Sequence, residues 1–183
     1  MPMLVLVVLA PIFAAIHLWH RRRHDKPTYA PELFLVWWFG LALGVTSIIG
    51  AGFHIFAGQE TAEMIGFTRG DGGFQFENAM GDLAIGVLAI LCIWLHGKFW
   101  LATIIFATIQ YYGDAYGHFH QWVVNDNTKS GNVGPPLWID LVVPAVAIVL
   151  YVVVERHRRR TERELPPAAP PAAPDDRVLA GRV

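Results

Sequence analysis

Apolar residues collect into five stretches along this chain, residues 3–19, 33–57, 76–95, 99–117 and 137–154, with short polar segments between them. A helix needs roughly 20 mostly apolar residues to cross the hydrocarbon core of a bilayer. Each stretch therefore predicts a membrane-spanning helix, the first being the shortest. The expected fold is all-α, a polytopic membrane helical bundle of five transmembrane helices over residues 1–157. A tail over 158–183 should be disordered: Pro166, Pro167, Pro170, Pro171 and Pro174 stand among alanines there, a composition that cannot bury a core.

The polar interruptions are not scattered. His54, Glu77, Asp82, Asp114, His118, His120 and Asp140 all fall at the same end of their helices, whereas the arginines and lysines gather at the other. Arg21, Arg22, Arg23 and Lys26 follow the first stretch, Lys98 lies between the third and fourth, and Arg156, Arg158, Arg159, Arg160 and Arg163 follow the fifth. The two remaining loops hold only Arg69 and Lys129. Basic loops stay on the cytoplasmic side, so this alternation predicts an external N-terminus and an internal C-terminus. The first stretch differs from a secretory signal peptide, whose positive charge precedes its apolar run. It reads as a reverse anchor stopped by the three arginines.

Composition supports the membrane class. The chain is 54% hydrophobic and 16% charged, against about a quarter charged in ordinary globular chains. The net charge of -1 excludes little. A single cysteine, Cys92, rules out an intrachain disulfide or a thiolate metal cluster and fits a small buried hydrophobe.

Ionisable groups inside a membrane are costly and mark functional sites by default. The third stretch opens Phe76-Glu77-Asn78-Ala79-Met80-Gly81-Asp82. Capping explains Glu77 at a helix N-terminus but explains Asp82, a turn deeper, poorly. In the fourth stretch Gln110, Asp114 and His118 recur every four residues and share one helix face, while Gly113 and Gly117 form an adjoining small-residue stripe of the kind that admits a close neighbour. His54 closes the second stretch and Asp140 opens the fifth, just before Pro144. Carboxylates and imidazoles from facing helices can hold a divalent metal, and such hard ligands suit iron, zinc or manganese. The candidate ligands are Glu77, Asp82, Asp114 and His118, with His54 and Asp140 as ligands or supports, oriented by Asn78, Gln110 and Tyr111. Residues 59–67 are expected to form a short interfacial helix. The loop 119–136 is rich in turn formers, with Asp126 and Asn127 read as turn residues. No nucleotide-binding glycine loop, nucleophile elbow or HExxH pair is present.

At Phe76-Glu77-Asn78, Gly81-Asp82 and Gly113-Asp114-Ala115-Tyr116-Gly117-His118 the chain resembles an uncharacterised group of small multi-spanning bacterial membrane proteins of unknown function. That resemblance covers roughly residues 33–155, leaving the first stretch and the tail as additions, and implies no activity, cofactor or substrate. Three functions stay open: a polar, metal-binding site near the outer face of an inner-membrane protein; a proton- or cation-coupled transport component; and a structural or accessory subunit. Whether the chain is an enzyme is left open. The lipid bilayer is the expected partner, and no nucleic-acid role is expected.

Overall fold

The computed structural model describes residues 2–67 and 72–164 and is helical throughout, with no strand among the described residues. Helix α1 spans Pro2–Arg23 and α2 spans Ala30–Phe56, the latter widening into π-helical turns over Trp38–Val45. A short α3, Gly58–Ile65, lies beyond the end of α2. Helix α4 spans Gly72–Leu91, α5 spans Lys98–Asn125, the four-residue α6 spans Ser130–Val133, and α7 spans Pro135–Glu164.

Four of these, α1, α2, α4 and the stretch carrying α7, are long and apolar enough to cross a membrane. The 28-residue α5 is long enough, but its second half, from Gln110 to His120, dilutes its apolar character. Helix α2 is central. It packs against α1 and α4 along most of its length and touches α7 with its first turns; α5 packs chiefly on α7 and more lightly on α4. Leu35, Phe39, Leu43, Ile85, Trp100 and Val143 form the fully buried core. Indole donors inside it find carbonyls: Trp38 Nε1 donates to Val143 O at 2.9 Å and Trp100 Nε1 to Cys92 O at 2.7 Å. Buried indoles need such partners.

Close approach of α2 and α4 depends on glycine. A Cβ on Gly86 would lie 2.6 Å from Ile48 Cγ1 and 3.0 Å from Gly44 O. The expected glycine stripe on α5 has no such role, since a Cβ on Gly113 or Gly117 would meet nothing within 4 Å. Nor does Gly117 end the helix. Helix α5 continues to Asn125 and is capped by Asp126 in the left-handed region, φ 51°, a conformation Asp tolerates. His118, His120 and Gln121 are thus helical residues. The third apolar stretch leaves α-helical geometry earlier than expected, after Leu91, in tight turns that expose the Cys92 carbonyl to Trp100. Helix α7 runs on to Glu164, through residues expected to open the tail. The prolines and alanines from 166 onward lie outside the described residues, as does part of the glycine run at 70–73.

Candidate functional site

Sequence spacing and chain topology together build a polar cluster at the acidic end of the bundle. On α5, Gln110, Tyr111, Asp114 and His118 project from one side because residues three and four apart stack on a helix face. Helix α4 contributes Asn78 and Asp82, α7 contributes Asp140, and α2 contributes Ser47 and Gly50. Asp82, His118 and Asp140 are buried, 7–8% exposed.

The hydrogen bonds are specific. Gln110 Nε2 donates to Asn78 Oδ1 at 3.2 Å and to Asp114 Oδ2 at 3.3 Å, tying α4 to α5. Tyr111 OH and Ser47 Oγ lie 2.8 Å apart, tying α5 to α2, and Ser47 donates onward to Leu43 O. Gly50 leaves space for Asp82: a Cβ there would stand 3.3 Å from Asp82 Oδ2. Asp82, Asp114 and Asp140 lie near Tyr111. Pro144 has no N–H to offer the Asp140 carbonyl one turn earlier.

His118 is held most tightly. Its Nδ1 lies 2.9 Å from Asn132 Oδ1, while Asn132 Nδ2 donates to His118 O at 3.1 Å and Asn127 O at 2.9 Å. Both amide protons of the fully buried Asn132 are therefore used on carbonyls, so its Oδ1 must accept. His118 Nδ1 must then carry a hydrogen. In the neutral ring this leaves the Nε2 lone pair facing Asp140 Oδ2 at 3.7 Å. At 3.7 Å the two lie within ion-pair range but beyond direct hydrogen-bond distance, so a proton would pass between them only after a small approach or through a bridging water.

Short elements close the cluster from outside. Asn127 Nδ2 donates to Ile65 O and Lys129 Nζ to Glu63 O, fastening the 126–133 segment onto α3. Gly131 permits the contact, because a Cβ there would be 2.5 Å from Met64 O. The Phe67 ring lies 5.7 Å from that of His118. The helix expected over 59–67 is present as α3, Gly58–Ile65, and packs beside the site.

Of the expected site residues, the structure brings together Asp82, Asp114, His118 and Asp140. His54 lies at the rim, with Nδ1 2.6 Å from Gln75 Oε1. Glu77 is exposed. Among the described residues, no group of three or more His, Cys, Asp or Glu side chains converges as metal ligands would. Among the described residues no arginine is ion-paired here; Arg158 and Arg159 pair with Glu32 and Glu155 at the other end. Asn132 is the residue sequence reasoning missed. In Ser130-Gly131-Asn132 it has the look of a turn former, and only the fold places it beneath His118.

A family model described as "Family of unknown function (DUF6790)" matches residues 1–160, and the chain belongs to that family. The match includes α1, so the first helix is part of the family's unit rather than an addition to it. Comparisons with curated proteins and with solved structures give no match.

Proposed function

Starting from that membership, in a family whose activity is unknown, we propose that this is an inner-membrane protein whose buried acidic cluster binds and exchanges protons near the outer face. In this reading α5 crosses the membrane as the fifth span, with the N-terminus outside and the arginine-rich end of α7 inside. The observation that carries it is the His118–Asp140 pair, with its tautomer fixed by Asn132, among carboxyls that have no arginine or lysine partner among the described residues.

Magnitudes favour this over a purely structural role. A charged Asp at the centre of a span costs roughly 3 kcal/mol, whereas an interhelical hydrogen bond in a membrane contributes about 0.6 kcal/mol on average. Three carboxyls are an inefficient way to join helices. Their charge is balanced either by protons or by a bound cation, and the absence of three converging ligands among the described residues favours protons over iron, zinc or manganese. Asp140 and His118 would form the exchanging pair, with Asp82 and Asp114 as neighbouring acceptors. Gln110, Tyr111, Ser47 and Asn132 hold them in place.

The test is proton uptake by the full chain in detergent, read with a pH dye when an unbuffered solution of the protein is mildly acidified. Uptake by the wild type that is lost in Asp140→Asn and Asp82→Asn is the expected result. Equal uptake in all three would overturn the assignment. Metal analysis of the same preparations discriminates the cation alternative, which requires stoichiometric metal lost in Asp82→Asn.

A further inference from the structure

The basic end of the bundle holds a second feature that the proton reading does not use. On α7, Val153, Arg156, His157 and Arg160 form one stripe at spacings of three and four residues. With Tyr29, the residue preceding α2, they line a cleft of about 210 Å³. The stripe changes character within two turns: Val153 is among the last apolar residues of α7, and Arg156 and Arg160 begin its polar end.

The neighbouring charges are already partnered. Arg158 binds Glu32 and stands over the Trp100 ring, and Arg159 binds Glu155. Arg156 and Arg160 have no carboxylate within ion-pair distance among the described residues, leaving two guanidinium groups directed at one cleft. Its wall is ordered: the rings of Tyr29 and His157 stack at 3.8 Å between centroids and 15° between planes. The Tyr29 hydroxyl makes no hydrogen bond among the described residues. Two planar forks, a free phenol and an apolar floor at the hydrocarbon boundary match a phosphate group on top of an acyl chain. Guanidinium binds phosphate through paired N–H donors, and basic pockets between membrane helices take anionic headgroups.

We propose that the Tyr29, Val153, Arg156, His157 and Arg160 cleft is a binding site for a phosphate group, supplied by an anionic phospholipid. It rests on the membrane-crossing reading and is independent of the proton site at the other end.

The full chain is placed in nanodiscs of phosphatidylcholine with or without phosphatidylglycerol, and retained lipid is counted by native mass spectrometry. Thermal unfolding is followed in parallel, with inorganic phosphate added to the neutral discs as a separate arm. Retention of phosphatidylglycerol by the wild type, reduced about tenfold or more in Arg156→Gln/Arg160→Gln, is expected from two lost cationic contacts. The control Arg22→Gln/Arg23→Gln removes equal charge at the same end and should retain the lipid. Protection by inorganic phosphate in neutral discs, lost in the same variant, would keep the phosphate site and name a free anion as its source. Equal losses in both double variants would reduce the effect to diffuse charge and overturn the site, as would a wild type indifferent to both phosphatidylglycerol and phosphate. Since both arginines of the cleft are exposed, circular dichroism should show the variants folded.

Discussion

Asn132 has a role out of proportion to its place in a four-residue helix. Its amide satisfies two carbonyls and fixes the tautomer of His118. Asn132→Leu keeps the approximate volume but leaves the Asn127 carbonyl and the imidazole N–H without the partner that Asn132 supplies. Buried unsatisfied groups cost about 1–3 kcal/mol each. The variant should therefore lose about 3 kcal/mol of stability in thermal unfolding, together with proton uptake. Asn132→Asp is the sharper probe: it can still accept from Nδ1 but cannot donate to either carbonyl. Unchanged unfolding in both variants would remove Asn132 from the site. The sequence displayed the acids and His118 through their position in apolar runs, because a charge in a greasy segment stands out. It concealed Asn132, whose residue type is ordinary in a loop and whose partner is 14 positions away.

Among the elements, the junction of α2 and α4 is the most demanding. Gly86→Ala would put a methyl into the space held by Ile48 and the Gly44 carbonyl. Overpacking of this kind costs about 1–3 kcal/mol, and a fall in unfolding temperature with helix content retained is the expected readout. Gly113→Ala, facing open space on α5, serves as the comparison and should be neutral or slightly stabilising through better helix propensity. The apolar stretches made the long helices legible from the sequence, but the ends of those helices were less so. A glycine inside α5 resembles a stop signal, yet the helix passes through Gly117 and ends only where Asp126 turns left-handed. Which glycines are pressed against a neighbour depends on helix rotation, and two equal four-residue spacings cannot distinguish Gly113 and Gly117 from the glycines that matter.

For the molecule as a whole, charge segregation is the organising feature. Buried carboxyls with His118 close one end and the arginines gather at the other, with α3 and the 126–133 segment covering the first. Topology follows if the apolar middle lies in a bilayer, and it can be tested with the chain's own thiol as background. Cys92 is fully buried, so single cysteines at Glu60 and Arg22 can be introduced without removing it. A membrane-impermeant maleimide added to intact cells should label Glu60→Cys and spare Arg22→Cys, with the pattern reversed in inverted vesicles. Labelling of both from one side would rule out the five-span arrangement.

The most direct test of the central claim is infrared difference spectroscopy of the membrane-embedded wild type, Asp140→Asn and His118→Gln across a pH titration. Proton exchange at the cluster predicts a carboxylic C=O band that appears and disappears with pH, shifts in D₂O, and is lost in Asp140→Asn. In His118→Gln the band should remain but titrate at a different pH, since the imidazole facing Asp140 is gone. A wild-type spectrum with no titrating carboxyl band, or one identical in Asp140→Asn, would contradict the account.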